Sequence, residues 1–129
     1  TGYASAISPG SEMYYDDNAW LVLSLVEAHQ LTGNPDYLQR AHETLDFVLS
    51  GHDATLGGGV WWLRERRQAK HTCSTAPAVL AALRLGRNDL AMTILTWLET
   101  NLRDEDGLYF DKLIGLDPLE LDRTKFSYN

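Results

Sequence analysis

"NAWLVLSLVEAHQLTGNPDYLQRAHETLDFVL", Asn18 to Leu49, decides the fold. From Asn18 to Ala28 the stretch is apolar nearly all round, which predicts a helix buried on most of its faces. "TGNPDY" ends it: Gly33 suits the C-terminal side of a helix, Asn34 suits the cap of the next, and Pro35 fits a first helical position where its missing N–H is not needed. The following helix, to about Leu49, has a different pattern. Tyr37, Leu38, Ala41, Leu45 and Val48 recur at helical spacing among Gln39, Arg40, His42, Glu43 and Asp46, so one stripe is buried and the rest meets water.

The same order then returns. A mostly apolar segment from Pro77 to Leu85 is broken by "GRND" and followed by an amphipathic helix carrying Leu90, Ile94, Leu95, Trp97 and Leu98. Asn18-Ala19 corresponds to Thr75-Ala76, Leu45-Asp46-Phe47 to Leu95-Thr96-Trp97, and Gly59-Val60-Trp61-Trp62 to Gly107-Leu108-Tyr109-Phe110. Each unit is an inner helix, an outer helix and a short segment of glycine and aromatics, at a period of roughly 50 residues, in the range of repeat architectures. The expected fold is all-α: two antiparallel hairpins, one over about residues 16–63 and one over about 74–113, beginning a ring of inner and outer helices. Residues 20–28 and 79–85 are expected to be more buried than the helices at 35–49 and 89–101. Two units leave two open flanks, so further hairpins of the same barrel, or other chains, are expected to cover them.

The 129 residues have the size of one domain, with 44% apolar and 22% charged residues. A net charge of −7, from 18 acidic against 11 basic residues, disfavours nucleic acid and anionic membrane surfaces as partners. Arg64, Arg66 and Arg67 alternate with Glu65 and read as a solvated loop edge. Cys73 is the only cysteine, so no intrachain disulfide forms and the redox compartment stays open. No apolar run is long enough to cross a bilayer. The opening "TGYASAISPG" reads as a loop joined midway, and the chain is expected to be part of something longer.

Two acidic residues stand side by side where the first inner helix begins, in "YYDDNAW", Tyr14 to Trp20. Capping accounts for one: in the repeat, Asp17 corresponds to Ser74, itself a good N-cap residue. Asp16 remains, beside a like charge that raises the pKa of one member unless the helix end offsets it. Arrangements of this kind gather at functional sites. Two carboxyl groups acting together are what glycoside hydrolysis requires, one to protonate the leaving oxygen and one to attack the sugar or activate water. Neighbouring Cα atoms lie about 3.8 Å apart, so carboxyls about 5 to 5.5 Å apart are more readily reached than about 6.5 to 9.5 Å, a spacing that leans toward retention.

"YYDDNAWLVLSLVEAHQLTGNPDYLQRA", "GGGVWW", "KHTCSTAPAVLAALRLG", "DEDGLYFDKL" and "KFSYN" resemble, in order and spacing, the middle of glycoside hydrolase family 76, the endo-α-1,6-mannanases. The likeness spans almost the whole chain, and its most specific element is Asp-Asp-Asn-Ala-Trp at the start of an inner helix. The resemblance implies a six-hairpin α/α toroid, retaining hydrolysis of α-1,6-mannan or manno-oligosaccharides, no cofactor, and an extracellular or cell-envelope setting. It implies Asp16 as nucleophile and Asp17 as general acid/base. Family members have further hairpins before and after this region.

Other candidates surround the pair. Trp61 and Trp62 offer an aromatic face for a pyranose ring; successive side chains of an extended segment point to opposite faces, so one of the two is expected in the cleft, Trp62 by a narrow preference. Their alternative is packing, as is that of Trp20. Asn18, of the acidic motif, Lys70 and His71, before the second inner helix, and Asp111, after the second aromatic segment, are candidates for binding sugar hydroxyls. Cys73 beside His71 lacks a third orienting group for thiol catalysis and reads as packing. The four histidines lack a close ligand spacing, so no metal site is expected. Gly57-Gly58-Gly59 matches no phosphate-binding pattern and permits a tight turn. Two other functional classes remain: a non-catalytic mannan-binding or interaction module built on a partial toroid, and sugar isomerisation, which is disfavoured because acids rather than histidines hold the rim.

Overall fold

The computed structural model describes residues 1–115 and 117–129. Among them four α-helices follow in chain order: α1 Tyr15–Thr32, α2 Pro35–Leu49, α3 Thr72–Arg84 and α4 Asn88–Asn101. The α1–α2 turn is made by the residues that announced it. Gly33 adopts a left-handed conformation at φ 69° and its N–H bonds the His29 carbonyl, while Asn34 Oδ1 accepts the Asp36 N–H at 2.9 Å and Pro35 opens α2. Helix α1 packs against α2 and α3, and α3 against α4. Ala19, Ala41, Ala78, Ala81, Ala82 and Ala91 are all fully buried, and side chains this small let the helices approach closely.

The inner helices are less covered than their apolar composition suggests. Of residues 20–28 only Val22 and Val26 are buried, and Trp20 is 59% exposed, so this segment is not more buried than α2, which buries Ala41, Thr44, Leu45 and Val48. In α3, Val79, Ala81 and Ala82 are buried while Leu80 and Leu83 are exposed, so residues 79–85 keep a larger buried share than 89–101, where Ala91, Ile94, Trp97 and Leu98 are buried, as expected. The reason is geometric: α1 packs against one outer helix and one inner helix, and Trp20 lies on a side that no further helix among the described residues covers.

A three-stranded antiparallel sheet, absent from the all-helical expectation, joins the loops at one end of the helices. Its order is β1 (Ala69–His71), β2 (Lys112–Ile114), β3 (Glu120–Asp122), with Lys70 opposite Leu113 and Leu113 opposite Leu121. The repeat is real, but its aromatic segments pair one residue away from the expected register. Trp61 N–H bonds the Gly51 carbonyl as Phe110 N–H bonds that of Leu102, and Tyr15 N–H bonds the Trp62 carbonyl as Thr72 N–H bonds that of Asp111. Val60-Trp61-Trp62 is thus equivalent to Tyr109-Phe110-Asp111. Trp61 and Phe110 are the buried members; Trp62 and Asp111 are the rim members. The glycine run before Trp61 is explained by close approach, because Gly59 sits at φ 73° and a Cβ there would lie 2.3 Å from the Trp97 ring.

One charged cluster is built into this end. Lys70 is fully buried, its Nζ 2.9 Å from both the Asp53 carbonyl oxygen and Asp53 Oδ1 and 4.7 Å from the centroid of a Trp61 ring. Trp61 Nε1 donates to Asp53 Oδ2 at 2.7 Å. Burial pushes the Asp53 carboxyl upward, but the Trp61 N–H and the Lys70 ammonium outweigh it and hold the group well below the usual carboxylate range. Burial lowers the Lys70 ammonium against the pull of Asp53. Removing one partner of such a pair strands the other charge. Asp53→Ala is therefore expected to lower stability by about 3 kcal/mol in urea unfolding, and Lys70→Met, which removes the charge and keeps the volume, by distinctly less.

Candidate active site

The start of α1 sets the acid pair. Tyr14 is the N-cap residue, extended at φ −95° and ψ 135°, and its side chain caps nothing. Asp16 and Asp17 therefore lie inside the first turn, and the expectation that Asp17 serves as the N-cap is corrected. Free N–H groups of that turn and the positive end of the helix favour negative charge there. The turn is fixed from behind by Asn18, almost fully buried, whose Oδ1 accepts the Tyr3 N–H at 2.7 Å and whose Nδ2 donates to the Tyr3 and Tyr14 carbonyls at 2.9 and 2.7 Å. Asn18 is a structural staple, not a sugar ligand.

Asp16 and Asp17 open onto a cleft of about 720 Å³ that Trp62, His71, Cys73 and Asp111 also line. Trp62 Nε1 donates to Asp16 Oδ2 at 3.0 Å, and its ring packs on Tyr14 and His71 at centroid distances of 5.0 and 5.1 Å. The His71 Nδ1 lies 3.6 Å from Asp111 Oδ1, and Lys112 Nζ lies 2.7 Å from Asp111 Oδ2. Burial lowers the His71 pKa, with the Asp111 charge opposing it, which favours a neutral imidazole. Among the remaining lining residues, Trp20 and Pro77 come from the inner helices and Phe126 and Tyr128 from the C-terminal segment, the last two stacked with centroids 5.0 Å apart.

Desolvation raises the Asp16 carboxyl; the Trp62 N–H and first-turn backbone N–H groups pull it down, and the Asp17 charge adds to the upward push. Its Oδ1 is buried with no hydrogen-bond partner among the described residues. Burial, followed by the charges of Asp16 and Asp111, pushes the Cys73 thiol up to about 12, which removes it as a nucleophile although it stands in the cleft wall.

Two candidates leave the site altogether. Trp61 is buried and tied to Asp53, and Lys70 is buried beneath it, so neither reaches the cleft. The correction has one cause, the two-residue alternation of extended backbone, which turns Trp61 and Lys70 inward and their neighbours Trp62 and His71 outward. Sequence reading missed Lys112, Phe126 and Tyr128 as lining residues, and it treated Cys73 as packing. The repeat itself carried the signal for Cys73, since Asp16 and Cys73 occupy equivalent positions of α1 and α3.

The profile of glycosyl hydrolase family 76 matches residues 2–129. The chain belongs to this family. It is 29% identical over 138 residues to the meiotically up-regulated gene 191 protein of Schizosaccharomyces pombe (strain 972 / ATCC 24843), covering 92% of this chain and 31% of that protein. A family 76 glycoside hydrolase from a bovine Bacteroides thetaiotaomicron strain superposes with a TM-score of 0.90 at 30% identity, over 99% of this chain and 30% of its own. An inactive variant of the α-1,6-mannanase of Salegentibacter sp. HEL1_6, with two consecutive aspartates replaced by asparagine and α-1,6-mannotriose bound, superposes with a TM-score of 0.79 at 25% identity, over 85% of this chain and 35% of its own. The chain spans about a third of the length of these relatives, and its helices are hairpins of the family's α/α toroid.

Two outcomes follow from the electrostatics. The raised Asp16 pKa means that its contribution to stability is full at low pH and is lost as pH rises through the folded-state value. Asp16→Asn, which keeps an acceptor for Trp62, should therefore raise Tm at pH 7, and the gain should vanish near pH 3. A thiol at about 12 should react with iodoacetamide at pH 8 more than about 100-fold more slowly than an exposed cysteine, measured by mass spectrometry of the Cys73 peptide.

Proposed function

We propose that this chain carries the catalytic pair of a glycoside hydrolase that cleaves internal α-1,6-mannosidic linkages with retention of anomeric configuration. The observation that carries the proposal is the placement of Asp16 and Asp17, consecutive residues in the first turn of an inner helix, on a cleft edged by the Trp62 ring. The α-1,6-mannanase variant that is inactive after loss of two consecutive aspartates, and that holds α-1,6-mannotriose, supports both the pair and the substrate class.

In the first step the Asp16 carboxylate forms a bond to the anomeric carbon as the glycosidic C–O bond breaks, and Asp17 gives its proton to the departing oxygen. A mannosyl ester on Asp16 results. Asp17, now a carboxylate, takes a proton from water as that water attacks the same carbon, and Asp16 leaves; the sum is one glycoside and one water converted to two sugar ends. Adjacent residues suit the short separation of carboxyls that retention requires. Trp62 donates to Asp16 and offers an aromatic surface, while His71 and Asp111 present polar groups to hydroxyls across the cleft.

In the full-length protein, Asp16→Asn is expected to abolish hydrolysis of α-1,6-mannan while leaving mannan binding nearly unchanged. Asp17→Asn should lower turnover by about 10² to 10⁴-fold, and least on substrates whose leaving group needs no proton. NMR of the first product should show the α-anomer. A first product in the β form, or near-full rates in both Asn variants, overturns the reading, and mannan binding without any turnover assigns the cleft to a binding module instead.

A further inference from the structure

Helices α1 and α3 begin in the same register, so Asp16 and Cys73 hold the second position of two neighbouring inner helices and face each other across the cleft floor. Cys73 Sγ lies 3.8 Å from Asp16 Oδ2, within reach of an S–H···O hydrogen bond, and the same oxygen accepts the Trp62 indole N–H at 3.0 Å. The other oxygen, Oδ1, is buried and accepts no hydrogen bond from the described residues. Two side-chain donors therefore converge on one oxygen of Asp16, one rigid and one able to rotate.

We propose that Cys73 is a positioning residue for Asp16: its S–H donates to Oδ2 and, together with Trp62, keeps the carboxylate ionised and fixed in the orientation that faces substrate. This rests on the reading of Asp16 as the nucleophile. The groups around the carboxylate fit a neutral donor and no other form of the sulfur. Asp17 lies beside it on α1, Tyr14 precedes it, His71 and Asp111 stand at the sheet edge, and Tyr128 comes from the C-terminal segment. A thiolate would stand against Asp16 and Asp111, and burial together with those charges keeps the thiol protonated up to about 12. Cys73 thus remains an S–H donor at every pH at which the fold is used, which a histidine in its place would not.

The contact is read without turnover in the full-length protein by infrared spectroscopy, taking the Cys73 S–H stretching band from the difference between wild type and Cys73→Ser. The band should move to lower frequency as pH rises through the ionisation of Asp16, and Asp16→Asn should remove that pH dependence. A band that is independent of pH and the same in Asp16→Asn overturns the donor assignment, whatever the fate of the catalytic reading. The functional arm is the acidic limb of kcat/KM. Cys73→Ala should move it to higher pH by about half a unit or more and lower kcat with KM little changed, whereas Cys73→Ser, which keeps a hydroxyl donor, should move it less. An acidic limb at the same pH in all three proteins also overturns the proposal. Asp16→Asn with undiminished turnover would instead remove the nucleophile reading on which it rests, even with the infrared shift present.

Discussion

The hydrogen bond from the Tyr15 N–H to the Trp62 carbonyl, 2.9 Å long, is the joint on which the cleft depends. It ties the first turn of α1 to a segment 47 residues further along the chain, and the same residue returns its indole N–H to Asp16. A single residue therefore anchors both the backbone that presents the acid pair and one oxygen of the pair itself. The second hairpin repeats the joint with Thr72 and Asp111, and Thr72 adds its hydroxyl to the Phe110 carbonyl at 2.6 Å. Because the two joints are equivalent, the starts of α1 and α3 come to one rim, and their second residues face one another.

Stability and chemistry are divided between the two sides of these segments. Inward-pointing Trp61 and Lys70 close on the Asp53 carboxylate, which Arg67 also reaches at 3.3 Å, and Phe110 does the packing in the second unit. Outward-pointing Trp62, His71 and Asp111 form the cleft wall. Asp16 sits where desolvation works against its charge, and the opposing influences are the Trp62 indole N–H and the N–H groups of the helix start. A carboxylate kept in such surroundings lowers stability at neutral pH, an arrangement that is intelligible where the group has a reaction to perform.

Much of this was legible in the sequence, for physical reasons that can be named. The Gly33-Asn34-Pro35 turn has a residue-specific requirement at each position, and the one-sided pattern of Tyr37 to Val48 fits an outer helix, so the hairpins could be read directly. The acid pair was legible because capping leaves the second carboxylate unexplained, and here neither aspartate caps. What escaped was parity and tertiary coverage. The two-residue period was legible for Trp61 and Trp62 but not for Lys70 and His71, so Lys70 looked like a rim residue by position, and a repeat aligned one residue out of register hid the equivalence of Trp62 with Asp111. Strands of three residues carry too little pattern to be seen, and the apolar surround of Trp20 to Ala28 does not reveal which sides the chain itself covers.

The central claim is that Asp16 becomes covalently attached to the sugar. It is tested most directly by incubating the full-length protein with a 2-deoxy-2-fluoro-mannosyl fluoride, which slows breakdown of a glycosyl ester, and mapping the adduct by peptide mass spectrometry. The account predicts one 2-deoxy-2-fluoro-mannosyl adduct, formed with loss of the anomeric fluoride, on Asp16 and absent from Asp16→Asn. An adduct on Asp17 or another residue, or the absence of any adduct under conditions in which the probe is consumed, would contradict it.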